Sequence, residues 1–580
     1  MSGFAGALFS KFTAAGSGIS VDYLVVAGGG AGGGWQGAGG GAGGLLTGTA
    51  LSLSLSTAYT VSIGANGLAT VFTGSNDTRG TNGGNSVFST LTAIGGGYGG
   101  GYGGGTALWA VPGNGGSGGG GGFASPATAG GTGTAGPPIQ GYAGGAGNAI
   151  AFNEGGGGGA GQIGGLPTSQ TSGYAGVGGN GILITGLATP FAGTGNITSG
   201  STTLTTTAVS AGNIKIGTQV TGTGIRTAQS ISISTFTPYN NNNAAAANFA
   251  YITFATQASA PFSVGQVITI AGTTAPTSYN APWIVTTCNT TSATIACSFF
   301  VTAGSFSIGT TYTIVTPGTT SFTAIGAANN AAGTIFTATG AGSGTGTAAP
   351  RPIVTGATIS APAAYISEQL TATNSPAVTA TFTQATVGSK TIVLSSYTVG
   401  SAAAIAIGQF VQPISGIIAG TYVTDISGNT ITISTITTGA IASSASLYTA
   451  GQNGTYTLSS QATATTTGVS LTSSGDYFAG GGGGGPDNGP NTYGGAGGGG
   501  KGNRNALASS GPPNTGGGGG GAYNNTGGSG GSGVVVIKIP AANTATFSGG
   551  VTSTLDSSVS GFKIYTVKAT STTSETVTFT

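Results

Sequence analysis

No histidine occurs in the 580 residues, and Lys, Arg, Asp and Glu together make up 3% of them, against a usual share of about 25%. The missing histidine removes a Ser-His-Asp triad and every imidazole metal ligand. Eleven Lys and Arg against nine Asp and Glu leave a net charge of +2. The nearest approach to a basic cluster is Lys501 with Arg504. That is too little to neutralise a row of phosphates, so nucleic acid is not an expected partner. Scarce charge also argues against ordinary disorder, which couples high charge with few β-branched and aromatic residues. No apolar run reaches the roughly 18 residues that cross a bilayer, so membrane insertion is not expected. The opening MSGFAGALFSKFTAAG lacks a basic n-region and carries Lys11 within its apolar stretch, unlike a secretory leader. The only two cysteines are Cys288 and Cys297. A turn near Thr291 and Ser292 would set them nearly opposite each other across a hairpin, either as a disulfide in an oxidising setting or as two buried free thiols.

What the chain has instead is glycine, 121 residues of it. Twelve of the seventeen residues from 28 to 44 are glycine, and further runs occupy 118–122, 155–159, 480–485 and 516–521. Glycine loses more backbone freedom on folding than any other residue. Such runs are therefore either flexible linkers or extended strands packed so closely that only glycine fits. A polyproline-II strand has three residues per turn and no internal hydrogen bonds, so each of its N–H and C=O groups needs a partner on a neighbouring strand. Trp35, Tyr98, Tyr102, Trp109, Phe123, Tyr142, Tyr174, Tyr493 and Tyr523 punctuate the runs, and a pure spacer has no use for them. The packed form is the expectation, with Gly28, Gly29, Gly30, Gly480, Gly481, Gly482, Gly516 and Gly517 as structural positions.

Composition divides the rest. Residues 1–20 form a small-residue arm, and 21–190 the first half of a glycine-rich domain opened by the apolar strand VDYLVVA. From about 191 to 475 the glycine runs cease, and Thr, Ser, Ala, Val and Ile alternate in short segments that read as β modules near 195–258, 259–302, 303–349 and 385–470. IKIGTQVTG (214–222), FSVGQVITI (262–270), FSIGTTYTI (306–314) and IAIGQFVQP (405–413) repeat an apolar residue before Gly and another three later. Glycine resumes over 476–540 and closes on VVVIKIP, which mirrors VDYLVVA and is expected to pair with it. Residues 541–580 form a C-terminal β segment. The fold class is mainly β, with short-stranded β modules plus a polyglycine or polyproline-II-type bundle and no long helices.

Two motifs imitate nucleotide sites. Gly28, Gly30 and Gly33 give GxGxxG after a strand, yet more glycine follows where a helix must open, and the next acidic residue is Asp77. Residues 495–502, GAGGGGKG, place Gly502 where a Mg²⁺-binding hydroxyl belongs. Neither is taken as a site, and no cofactor is expected. The nine acids are Asp22, Asp77, Glu154, Glu368, Asp425, Asp476, Asp487, Asp556 and Glu575. No two of them form an obvious pair for glycoside hydrolysis, although separate strands could bring them together, and no enzymatic activity is expected. Trp109, Tyr98, Tyr102, Tyr523 and Asn524 are the candidate binding residues, because rings in glycine loops either stack on a ligand or fill gaps. Trp283 reads as core.

YLVVAGGGAGGG, YFAGGGGGG (477–485) and GGSGGSGVVVIKIP (527–540) together resemble the glycine-rich domain of fibre and adhesin proteins of tailed bacteriophages, especially marine and cyanobacterial ones. Residues 309–348 and 451–461 resemble short modules of such virion proteins. The resemblance implies a homotrimeric fibre, spike or adhesin on a virion. It would touch other virion proteins and a host polysaccharide or outer-membrane protein, with residues 1–20 as a candidate anchor. A self-assembling extracellular filament or surface layer, and an ice- or surface-binding protein with Thr arrays at TTLTTT (202–207) and TITIST (430–435), are the alternatives.

Overall fold

In a computed structural model, described for residues 18–72, 79–103, 107–148, 153–168, 173–212, 214–238, 249–297, 299–372, 378–383, 391–398, 410–411, 423–427, 430–433, 445–448, 454–487 and 489–580, the chain is built of antiparallel β-sheets and extended glycine strands. Its helical elements among the described residues are single 3₁₀ turns such as Ala107–Trp109 and Phe322–Ile325, and no described helix is long and apolar enough to cross a membrane. Residues 1–17 of the expected arm lie outside the described residues.

Two hydrophobic segments at opposite ends of the sequence organise the base of the molecule. The strand Gly18–Val26 pairs antiparallel with Val534–Pro540, with Tyr23 opposite Ile537 and Val25 opposite Val535, as the mirrored sequences lead one to expect. The five-stranded sheet runs in the order Leu45–Ser54, Gly18–Val26, Val534–Pro540, Phe562–Thr570, Val551–Asp556. Alternate residues of the clasp point to opposite faces. Val21, Val25, Val535 and Ile537 pack with Val567 of the same sheet and with Val61, Phe88 and Phe579 of a second sheet, while Leu24, Val26, Val534 and Val536 pack with Ala42, Ala160, Ile184 and Phe478. Burial on both faces explains why VVVIKI carries no polar alternation before Lys538. Each such side chain stabilises the sheet by about 1.5–3 kcal/mol. The C-terminal residues 541–580 do not form a segment of their own. Phe562–Thr570 completes the first sheet and Thr576–Phe579 pairs with Ala58–Ser62 in the second.

From this base the glycine runs rise as one bundle assembled from both halves of the sequence. Gly28 and Ala31 donate to Gly84 and Thr81 at 3.0 and 3.1 Å, Gly29 and Gly32 to Gly531 and Gly528, and Gly30 and Gly33 to Gly41 and Ala38, the last four all at 2.9 Å. Residues three apart thus reach the same neighbour, the signature of a three-residue screw. Neighbours run both ways, since Gly39 and Ala42 donate to Gly155 and Gly158 in parallel register at 3.1 and 2.9 Å. The strands touch. A Cβ on Gly28 would lie 2.0 Å from the Ala65 oxygen, on Gly29 2.1 Å from that of Gly517, and on Gly30 2.2 Å from that of Gly97. Gly480, Gly481, Gly482 and Gly517 are hemmed in the same way, at 2.4, 2.2, 2.0 and 2.0 Å from carbonyl oxygens. Gly516 differs: its φ of +66° makes it a left-handed turn.

Between residues 185 and 475 the chain leaves the bundle and returns through a two-stranded ladder of Ile182–Ile184 and Asp476–Phe478. The strands here nest, in place of the four consecutive modules expected. An outer sheet combines Ala192–Ile197 and Thr203–Ala211 with Ile366–Ala372, Gly454–Leu458 and Thr466–Thr472. Inside that interval, strands from Gln229–Pro238 to Thr358–Ala361 close a six-stranded barrel around Ile252, Ile268, Trp283 and Ile295. The barrel therefore crosses the boundary expected near 258. It also takes in a strand beyond 349, because a small sheet must close to leave no edge. A four-stranded sheet from Val301–Thr302 to Thr347–Pro350 lies within the barrel's interval, and a six-stranded one from Val378–Thr383 to Ala445–Tyr448 follows it. The repeated Ile/Val-Gly is a turn. In three copies the residue after Gly donates back three positions, Thr218 to Lys215, Gln266 to Ser263 and Thr310 to Ser307, around Gly217, Gly265 and Gly309 at φ +93°, +82° and +83°. Gly408 of the fourth copy lies outside the described residues.

Cys288 and Cys297 are both free. They are not opposed: Cys288 pairs with Ala293 and Ile284 with Ala296. The Asn289 side chain accepts from the N–H groups of Thr291 and Ser292, both at 2.8 Å, which starts the reversal at Cys288 itself and carries Cys297 to the far end of the ladder. Trp283 is core, 2% exposed, its Nε1 donating to the Tyr279 oxygen at 2.9 Å.

Candidate functional site at the turn end of the bundle

Glycine strands offer no side chains, so any chemistry falls to the turns between them. The first turn, at Trp35 and Gln36, places two non-glycine residues in left-handed conformation, φ +36° and +55°, at a cost of order 1–3 kcal/mol each. Their N–H groups are held by a second turn, Trp35 donating to Asn525 at 3.2 Å and Gln36 to Tyr523 at 2.6 Å. A third segment joins them, the Phe72 N–H donating to Thr526 Oγ1 at 2.9 Å.

Rings from four separate turns meet here. Trp35 lies 5.6 Å from Phe72 and 4.9 Å from Tyr102, and Tyr102 stacks on Phe123 at 5.9 Å. All four are half-buried. The spacing lies within the 4.5–7 Å range of favourable aromatic pairs. Trp109 adjoins them through the Gly101 N–H, which donates to its oxygen at 2.8 Å, and the neighbouring Leu108 is 72% exposed. Tyr98 sits back along the bundle under the Arg79 guanidinium, 5.9 Å from its centroid, while Arg79 also donates to the Leu108 oxygen at 3.1 Å. Of the five candidate binding residues, Tyr102, Tyr523 and Asn524 share the turn cluster, Trp109 flanks it and Tyr98 lies outside it. Phe72 escaped the sequence reading because it looks like one residue of a short strand; Trp35 and Phe123 were visible only as punctuation.

A polar cluster adjoins these rings through Gln36, which follows Trp35 in the same turn. Tyr523 hydrogen-bonds Asp487 and Gln36, and its hydroxyl is pushed up to about 12, first by burial and then by Asp487, with Glu154 adding a smaller share. Glu154 has no exposed surface, and burial followed by the Asp487 charge raises its carboxyl well above the ordinary range. Among the described residues, neither Glu154 oxygen nor Gln36 Oε1 has a hydrogen-bond partner. The backbone explains the convergence: Asn153 bridges Pro486, Gly485 donates to Gly37 at 2.9 Å and Gly521 to Gly483 at 2.8 Å. Thus the segments carrying Glu154, Gln36 and Tyr523 surround the one carrying Asp487.

The glycine amides that would cradle a phosphate in the nucleotide-like motifs are largely spent on backbone carbonyls. The N–H groups of Gly28, Gly30 and Gly33 go to Gly84, Gly41 and Ala38, those of Gly500 and Gly502 to Gly518 and Thr492, and that of Gly499 back to Gly495 of its own motif. Lys501 is engaged by Glu368 at 2.6 Å, tying the bundle to the outer sheet of the insert, while Lys215 of the insert pairs with Asp476 at 2.9 Å. Among the described residues no three His, Cys, Asp or Glu gather as a metal group.

Residues 6–254, less than half of the chain, match a family model described as a glycine-rich domain. No curated protein and no solved structure matches the chain.

Proposed function

We propose that the protein is a non-enzymatic virion adhesin of a tailed phage, a fibre or spike component, whose glycine bundle presents its turns to the host surface. The observation that carries this reading is the ring cluster of Trp35, Phe72, Tyr102 and Phe123, half-exposed and drawn from four turns. A core would bury such rings, and a spacer would not order them. Ordered, partly exposed rings suit the apolar face of a sugar or a protein groove at little entropic cost. The sequence resemblance to phage adhesins supports the same reading. Three copies on a trimer would multiply weak individual contacts, and other virion proteins would hold the remainder of the chain.

The test is binding of the purified protein to a glycan array and to outer-membrane vesicles, comparing wild type with a Trp35→Ala/Tyr102→Ala variant of unchanged circular dichroism. At least a tenfold loss is expected, since hot-spot rings cost about 2 kcal/mol or more on truncation. Equal binding by the variant, or binding of wild type to neither surface, overturns the reading. Sedimentation separates it from a filament, a discrete trimer against open polymerisation, and ice-recrystallisation assays test the Thr-array alternative.

A further inference from the structure

Among the nine acids, Glu154 has an environment unlike the others. Asp22 pairs with Lys538, Glu368 with Lys501 and Asp476 with Lys215. Asp487 bonds Tyr523, Asp556 accepts from Thr189 and Ser558, and Glu575 from Ser548, Ser571 and Thr572. Asp77 and the Asp425 side chain lie outside the described residues. The Glu154 carboxyl is wholly buried, has no hydrogen-bond partner on either oxygen among the described residues, and feels the charge of Asp487, whose segment the Asn153–Pro486 bridge brings alongside. Isolated buried charge costs several kcal/mol unless something neutralises it. No cation of the protein does so among the described groups acting on it. Gln36, 6% exposed and fixed in a left-handed turn, spends its amide on Tyr523 and leaves Oε1 unpartnered in the same cluster. Three orphaned oxygens and a second carboxylate, all buried, make a hard, oxygen-only donor set.

We propose that a calcium ion binds at the turn end of the bundle between Glu154 and Asp487, with Gln36 Oε1 as a neutral ligand. Two negative charges match the divalent ion, the neutral amide oxygen adds a ligand as carbonyls do at calcium sites, and waters complete the six to eight oxygens that calcium takes. Calcium is favoured over magnesium because it accepts an irregular set of oxygens, whereas magnesium demands near-ideal octahedral geometry. A sugar-cleaving role for the two carboxylates is not favoured, since no part of Glu154 is open to a substrate. Bound calcium would join the 28–44, 153–159, 480–487 and 516–523 segments beside the ring cluster. It would lock the turns without contributing to their surface, so the inference stands apart from the adhesin reading.

The experiment uses the full chain, stripped with EDTA and titrated with CaCl₂ by calorimetry and with TbCl₃ by luminescence, the Tyr523 ring acting as sensitiser for terbium. One ion per chain, a calcium-dependent rise in Tm and displacement of terbium by calcium are expected. Outer-shell changes at metal sites already weaken binding about 10- to 100-fold, so Glu154→Gln and Asp487→Asn should each weaken it at least tenfold. Tyr523→Phe should retain calcium binding while losing the terbium signal from that ring. Absence of calcium binding by wild type, or undiminished binding by both carboxylate variants, overturns the proposal. A Glu154→Gln variant that matches calcium-saturated wild type in stability, with wild type indifferent to calcium, would assign the site to a proton instead.

Discussion

Replacing Gly482 with Ala probes the feature on which the bundle depends. The added Cβ would lie 2.0 Å from the Gly519 oxygen and 2.6 Å from its carbon. Cβ contacts below 3.0 Å are essentially absent from real structures, so the two strands must part by about 1 Å or more. Those strands are joined by Gly518 donating to Gly480 at 2.9 Å and Gly521 to Gly483 at 2.8 Å. Leaving a buried backbone group unpaired costs about 1–3 kcal/mol, giving about 2–6 kcal/mol for the two bonds. Reduced freedom of the unfolded chain offsets about 0.4–1 kcal/mol. Gly482→Ala should therefore destabilise by about 1–5.6 kcal/mol. Gly549→Ala is the matched control, because a Cβ there meets nothing within 4 Å and should be neutral or slightly stabilising. Denaturant midpoints of both variants, followed by circular dichroism and proteolysis of the glycine segments, measure the difference. A Gly482→Ala protein within 0.5 kcal/mol of the Gly549→Ala control, on the scale of an ordinary surface change, would refute the contact argument.

Other consequences follow from particular groups. Without reductant, both thiols should react with a disulfide reagent once the protein is denatured, and Cys297 should stay silent in the native state, its thiol raised well above the ordinary range by burial. Trp283→Ala should destabilise by about 3–5 kcal/mol, since the indole fills the barrel core and its N–H is bonded to Tyr279. The Glu575 carboxyl is held below its usual range by hydrogen bonds from Ser548, then Ser571, with Thr572 and the Gly550 N–H adding to them. A depressed carboxyl stabilises fully above its unfolded pKa of about 4.3 and loses that contribution as pH falls through the lower folded value. The gap between wild type and Glu575→Gln in unfolding midpoint should thus hold at neutral pH and narrow below about pH 4.

The fold was most legible where side chains carry an address. VDYLVVA and VVVIKIP are apolar on both faces, which restricts them to the middle of a doubly covered sheet, and each is the other's natural neighbour. Glycine density likewise announced close backbone packing, because nothing else accounts for runs interrupted by rings. Which strand lies beside which was not legible, since a polyglycine strand presents the same amides to every neighbour, and the choice of Gly531 or Gly84 as a partner is made by the turns and the base sheets. Nesting of the insert was hidden for a related reason: short Thr- and Ile-rich strands have interchangeable patterns, so local composition suggested consecutive modules where pairing joins Ala192–Ile197 to Thr466–Thr472. The cysteine register turned on one side chain, Asn289, which moved the reversal by about two residues. Glu154 and Asp487 were both visible as acids. Only the bundle's three-residue screw brings positions so distant in sequence into one cluster.

That screw also separates two kinds of constraint within the same few residues. Along the strands almost every amide is spent on another backbone and almost every Cβ position is occupied, so substitution there acts on the whole bundle. At the turns the situation reverses. Trp35, Phe72, Tyr102 and Phe123 are half-exposed, and the hydrogen bonds that hold their segments run through main-chain atoms of Asn525 and Phe123 or the Thr526 hydroxyl. Removing one of these rings deletes contact area without unpairing the bundle. Stability is therefore carried by glycine and the apolar clasp, and surface character by the turns, with few residues serving both. Gln36 is the exception. Its backbone belongs to the tip while its side chain turns inward to Tyr523, which places it where the polar cluster can transmit its state to the adjoining ring surface.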